Sequence, residues 1–180
     1  MEFKILDMIQ EIRTPILDSL MCMITKLGDV GAIWIILAVI LLLIPKTRKT
    51  GAIVVAALAV DIVLCNGILK PFIGRIRPCD INTSIQLLVA RPDDFSFPSG
   101  HTAASFAAVA ALYFAGEKML WKPALILSCF IAFSRLYLYV HYPTDILGGI
   151  VVGILAGYLG YQMVVKLKVI IDNRNVRKER

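Results

Sequence analysis

Charge is scarce in this sequence: of 180 residues, 18% are Asp, Glu, Lys or Arg and 58% are hydrophobic. That balance excludes an ordinary soluble globular domain of this length and points to a membrane protein. Histidine is scarcer still, with two copies. Cysteine contributes four, Cys22, Cys65, Cys79 and Cys129, with no CxxC pair and no histidine at ligand spacing. A disulfide framework is therefore not expected. Three of the four lie in apolar runs and read as small buried hydrophobes, whereas Cys79 falls alone in a polar loop. No internal repeat and no low-complexity stretch is present, so one domain, residues 1–180, is expected to account for the chain. The formal net charge is +6, but the location of the charges carries more meaning than their sum, and no nucleic-acid partner is expected.

Long apolar runs are what the chain does have. A helical span needs roughly 17–25 mostly apolar residues, and five runs approach that: Val30–Ile44, Gly51–Leu69, Pro98–Gly116, Pro123 to about Val140, and Ile146–Val165. Thr14–Leu27 is a shorter sixth helix that carries Asp18 and Lys26. The expected fold is all-α, a polytopic membrane bundle of about six helices. Met1 to Arg13 lacks the apolar core and cleavage site of a signal peptide. Phe3, Ile5, Leu6, Ile9 and Ile12 share one helical face there, which predicts an amphipathic helix on the membrane surface. Lys46, Arg48, Lys49, Lys118, Lys122 and the basic tail at 166–180 all fall on one side if five spans alternate. The positive-inside rule makes that side, and the C-terminus, cytoplasmic. The segment Lys70–Phe97 and the turn at Tyr139–Tyr142 then lie on the extracytoplasmic face.

The chemistry collects on that outer face in three clusters: Lys70, Arg75 and Arg77; Pro98, Ser99, Gly100 and His101; and Ser134, Arg135, His141 and Asp145. Cations at helix ends beside apolar spans are costly unless an anion neutralises them, and arginine forks match phosphate oxygens two at a time. Pro98 suits a first helical turn, Gly100 permits close approach of a ligand, and the free N–H groups there form an anion site. The Ser99 hydroxyl adds a donor. Both histidines of the chain fall in these clusters. Pro143 starts a helix, so Asp145 in its first turn can fold back on His141, fix its tautomer and leave the other ring nitrogen free to attack. Two histidines without a carboxylate cluster, among cations, make a poor metal-ligand set. No cofactor is expected.

These three clusters, in order and at these spacings, resemble the signature of the type-2 phosphatidic acid phosphatase superfamily. The resemblance runs from Lys70 to Asp145, and the short first helix and compact outer loop are similar to small bacterial members of the bacitracin-resistance, undecaprenyl-pyrophosphate phosphatase type. It implies that His141 attacks phosphorus and becomes a phosphohistidine, that Asp145 orients it, and that His101 protonates the leaving oxygen. Lys70, Arg77, Ser99, Gly100 and Arg135 would hold the phosphate. The implied substrate is a lipid phosphate or diphosphate, undecaprenyl diphosphate foremost, with phosphatidic acid and phosphatidylglycerol phosphate as further candidates. The competing readings are a vanadate-dependent haloperoxidase, whose relatives are soluble, and a non-catalytic lipid-phosphate binder or transporter.

Other features have plainer readings. Asp61 lies mid-span, roughly 13 Å below Lys70 along a helix, and is expected to be structural. Asn66, four residues before Lys70, shares its helix face. Gly149, Gly153 and Gly157 form a small-residue stripe for close packing in the bundle. Arg75, Arg91, Asp93 and Asp94 decorate the outer loop, with contact to a headgroup as one reading and plain solvation, the commoner state of such residues, as the other.

Overall fold

The computed structural model describes residues 1–178, with side chains through 170; Arg180 and the side chains of Arg174, Arg177 and Lys178 in the basic tail lie outside the described residues. Among the described residues the structure is all-helical. Helix α1 (Glu2–Glu11) precedes α2 (Pro15–Leu27), which starts at a Thr14 cap whose hydroxyl accepts the Leu17 N–H at 3.2 Å, with proline at the first turn where its missing donor costs nothing. A turn of 3₁₀ helix at Asp29–Gly31 bends the chain by 46° into α3 (Ala32–Leu43). Val30 (φ 52°) and Gly31 (φ 70°) are both left-handed there, a strained state for a β-branched residue.

Helix α4 (Arg48–Asp61) runs on through a π-helical segment, Ile62–Leu69, into α5 (Lys70–Ile73). Gly74, at φ 61°, stops it, the left-handed end that favours glycine. After α6 (Pro78–Ile81) a long loop leads to α7 (Gly100–Phe114), then α8 (Trp121–Tyr137) and α9 (Pro143–Lys178). The tail from residue 166 to 178 thus continues α9, with residues 166–170 exposed.

Helix α7 is the hub. Nearly all its residues from Thr102 to Leu112 are buried, and it packs on α4, α8 and α9. The contact with α9 is close because of glycine: a Cβ at Gly153 would sit 2.4 Å from the Ala103 carbonyl, and one at Gly157 would sit 2.5 Å from the Ala110 Cβ. Trp34, buried, donates its indole N–H to Ser105 Oγ at 2.9 Å and anchors α3 to the hub. The outward faces carry exposed Ile36, Val39, Val63, Phe130 and Val151, a belt suited to hydrocarbon rather than water.

By length and composition, Arg48–Ile81 and Pro143–Ile170 can each cross a membrane, and the bent α2–α3 pair passes the same test when taken as one span. Helix α7, with 15 residues, and α8, with 17, are shorter; 15 residues rise about 22 Å, less than a hydrocarbon core of about 30 Å. A helix wrapped by neighbours need not reach both surfaces itself. The first turn of α4 and the turn before α8 are joined by Thr50 donating to Glu117 at 2.7 Å, and they lie at the end of the bundle opposite the loop at 82–99.

Three expectations need correction. Cys79 is buried in α6, packed with Met21 and Tyr137, and Cys129 is exposed on the apolar rim of α8. Helix α1 is not simply laid on a membrane: Leu6 is fully buried against Tyr139 and Tyr142, and Asp7 accepts from the Tyr139 hydroxyl at 2.8 Å. Arg75 and Asp94 are not solvated loop decoration but ion-paired parts of the site.

Candidate active site

A cavity of about 450 Å³ opens where several helix ends meet, lined by Lys70, Arg77, Asp94, Gly100, His101, Arg135 and His141. Its other wall, formed by Val30, Ile35, Leu58 and Ile62, is apolar except for Asp61, which is buried there with Oδ1 unpartnered. Each charged group arrives from a different break in the helices. Lys70 follows the π segment, and Arg77 is the extended residue between α5 and α6. Arg135 lies in the last turn of α8. His141 is held in the tight turn before α9, two residues after Tyr139 at φ 59°.

His141 is buried and bonded at both ring nitrogens. Arg77 Nη1 stands 3.1 Å from Nε2, and Asp145 Oδ2 stands 3.4 Å from Nδ1. A guanidinium can only donate, so Nε2 carries the lone pair and the proton sits on Nδ1, facing the carboxylate. Burial, helped by the charges of Arg77 and Arg135, pushes the imidazole down to about 3 against the raising bond to Asp145. It is therefore neutral throughout the physiological range, as a nucleophile requires. Asp145, fully buried, is itself pinned: Ser96 Oγ donates at 2.5 Å, the Tyr142 N–H at 2.8 Å, and Arg75 Nη1 at 2.6 Å. Arg75 stacks over the Tyr142 ring at 3.9 Å and reaches Glu2 of α1 at 2.5 Å.

The cations are arranged for an anion. Arg135 donates Nη1 to Thr25 Oγ1 at 2.6 Å, while its buried Nε has no partner, an orphan donor that calls for a ligand. Lys70 and Arg77 are both ion-paired to the Asp94 carboxylate. Burial would raise that acid, but Lys70 and Arg77 hold it at about 2. A Cβ on Gly100 would point at Lys70 Nζ and Asn66 Oδ1, each 3.6 Å away, so the glycine leaves the cradle floor open beside the first N–H groups of α7.

His101 faces the same cavity from the opposite side, with Nε2 2.9 Å from Asp29 Oδ1. The turn at Val30 and Gly31 presents that aspartate. The structure thus brings together seven of the eight residues read from the sequence: Lys70, Arg77, Gly100, His101, Arg135 and His141 on the cavity wall, with Asp145 behind His141. Ser99 is the exception. It is fully buried, accepts from the Thr102 hydroxyl at 3.0 Å, and does not line the cavity.

Sequence reasoning missed Asp29 and Ser96, and it named Arg75 and Asp94 only as outer-loop charges that contact a headgroup or are solvated. The signal for Asp29 was its glycine-flanked place between two apolar runs; Asp94 and Ser96 lie just before the Pro98–His101 motif, and Arg75 lies inside the Lys70–Arg77 spacing. Among the described residues no group of three His, Cys, Asp or Glu is disposed to hold a metal.

Comparison with known proteins fits this geometry. The model of the PAP2 superfamily matches residues 49–168. The chain is 32% identical over 161 residues to undecaprenyl-diphosphatase BcrC of Bacillus subtilis, covering 87% of this chain and 80% of that protein. It is 30% identical over 147 residues to an undecaprenyl-diphosphatase of Sulfolobus acidocaldarius, covering 82% and 70%. Among solved structures, Aquifex aeolicus LpxE superposes with a TM-score of 0.77 at 26% identity, covering 89% of this chain and 94% of that one. The PAP2-type phosphatidylglycerolphosphate phosphatase of Bacillus subtilis gives 0.73 at 30% identity, covering 91% and 84%.

Proposed function

The chain belongs to the PAP2 superfamily of phosphatases, and from that premise we propose that it removes phosphate from a lipid phosphate or diphosphate through a covalent phosphohistidine at His141. Undecaprenyl diphosphate is the favoured substrate, because two relatives bear that activity in their names. Phosphatidylglycerol phosphate and phosphatidic acid follow. The observation that carries the reading is the two-sided hold on His141, with Arg77 on Nε2 and Asp145 on Nδ1.

As substrate binds, Arg77 gives up the Nε2 lone pair for a phosphate oxygen, and His141 Nε2 then attacks phosphorus while the phosphate oxygens lie against Lys70, Arg77, Arg135 and the N–H groups opening α7 at Gly100. Ser99, behind that helix start, supports the turn. As the P–O bond breaks, His101 gives a proton to the leaving oxygen, and Asp29 supplies the negative partner that a protonated His101 requires. Asp145 balances the charge growing on the His141 ring. Water then adds to the phosphohistidine, returns a proton to His101, and releases inorganic phosphate. Fixed cations supply the charge stabilisation that a metal supplies elsewhere, so no cofactor is invoked.

In the membrane, we read the chain as one domain of about six helices and five spans, with the cavity facing outward and the basic turns and C-terminus cytoplasmic. What supports this is the separation of the basic loops from the cavity by the length of the bundle. The decisive experiment offers purified protein undecaprenyl diphosphate, phosphatidic acid and phosphatidylglycerol phosphate, with His141→Ala alongside. Phosphate release by the wild type, indifferent to EDTA and absent from the variant, is expected. Full release by His141→Ala would overturn the mechanism, and loss in EDTA would overturn its metal independence.

A further inference from the structure

Asp94 sits where a phosphate belongs. One carboxylate oxygen pairs with Lys70 Nζ and the other with Arg77 Nη2, and the same guanidinium reaches His141 Nε2 at 3.1 Å. The carboxylate therefore holds two of the cations that the mechanism assigns to the transferred group. The two sides of this contact differ in freedom. The Lys70 and Arg77 side chains are 10% and 3% exposed, whereas that of Asp94 is 46% exposed. Its loop is fastened independently of the carboxylate, since Arg77 also donates to the backbone carbonyls of Asp94 at 2.8 Å and Phe95 at 3.3 Å. Rotation of one side chain vacates the seat, with no opening of the loop.

We infer that Asp94 is a resident anion that any ligand must displace from Lys70 and Arg77, and that it sets a threshold of affinity which terminal phosphates clear and phosphodiesters do not. The inference rests on the lipid-phosphatase reading above. The physical ground is an exchange. A phosphodiester brings one negative charge and two free oxygens, which is what the carboxylate already provides, so replacing it gains nothing. A terminal phosphate brings about −1.5 to −2 charges near neutral pH and three acceptor oxygens. The third oxygen can take the unpartnered Nε of Arg135. The carboxylate is ionised at every working pH, because the two cations hold it at about 2, so the exclusion does not lapse in mild acid. The bulk lipids surrounding such a site are phosphodiesters at high local concentration, and without a competitor they would fill the cradle.

The test compares wild type with Asp94→Asn as full-length protein in one detergent, hydrolysing dioctanoyl phosphatidic acid. Dioctanoyl phosphatidylglycerol, a diester, and inorganic phosphate serve as inhibitors. In Asp94→Asn the inhibition constants of the diester and of phosphate both fall about tenfold, because each ligand is freed of the same displacement, and the diester enters the measurable range; a tenfold change corresponds to about 1.4 kcal/mol. Inhibition constants are independent of any change in kcat. Asp94→Glu, which keeps the charge, retains the wild-type constants. Unchanged constants in Asp94→Asn overturn the inference and leave the phosphatase reading standing. If the wild type hydrolyses no lipid phosphate, that reading fails, and the same comparison is made from the shift of the thermal unfolding midpoint by each inhibitor.

Discussion

The two histidines of this chain are built in opposite ways. His141 is 1% exposed and its partner Asp145 not at all, and the pair is held by Arg77, Arg75, Ser96 and the Tyr142 N–H together. His101 has a side chain 20% exposed and a single acidic partner, Asp29, that is 57% exposed. The closed pair suits an atom that must meet phosphorus in one orientation. The open pair suits a group that must trade protons with water and with leaving groups of different shape. Rigidity falls on the proposed nucleophile, and solvent access on the proposed acid.

The largest effect breaks the closed half. His141→Ala is expected to lower phosphate release about 10⁴-fold or more, the scale of removing a nucleophile, read as steady-state release from lipid phosphate. Asp145→Asn follows at about 10³-fold, because the amide no longer fixes the Nδ1–H tautomer; a loss in kcat with little change in KM is the expected signature. The open half gives smaller, substrate-dependent losses. His101→Asn is expected to cost about 10²-fold on lipid substrates and far less on p-nitrophenyl phosphate, whose leaving group needs no proton. Asp29→Asn repeats that pattern more weakly. Equal losses on both substrates would abolish the contrast drawn here. The smallest effect is a flat line. In His101→Asn one histidine remains, and its ring carbon shift, followed by NMR, is expected to hold steady from about pH 8 to pH 5. A pKa lowered to about 3 keeps His141 neutral until the pH itself falls that far. A midpoint near the ordinary 6.5 would show the ring to be more hydrated than its burial implies.

The closed half was legible in the sequence and the open half was not, for a physical reason. His141 and Asp145 are four residues apart with Pro143 between them, so local helix geometry alone brings them together. Lys70, Arg77 and Arg135 were legible as cations too costly to leave at helix ends without an anion. Asp29, by contrast, meets His101 across 72 positions of sequence, and only the α2–α3 bend decides where it points. Asp94 and Arg75 looked like solvated charges because most loop charges are, and nothing local distinguishes those that fold inward. Ser99 misled in the other direction: it occupies the expected helix start, yet its hydroxyl turns to Thr102. The bundle itself followed from apolar runs, but their lengths did not reveal that α7 would be enclosed by its neighbours and short. Nor did they reveal the π-helical stretch at Ile62–Leu69, where a wider turn carries the chain to Lys70.

One guanidinium ties the chemistry to the periphery. Arg75 grips the acid behind the nucleophile with one nitrogen and Glu2 of α1 with another, and α1 shows exposed Ile5, Met8 and Ile12 on its outer side. From Glu2 the contacts run through two ion pairs, Glu2–Arg75 and Arg75–Asp145, and one hydrogen bond, Asp145–His141, to the ring proposed to attack phosphorus. The seating of the first helix and the setting of His141 are thus parts of one polar chain.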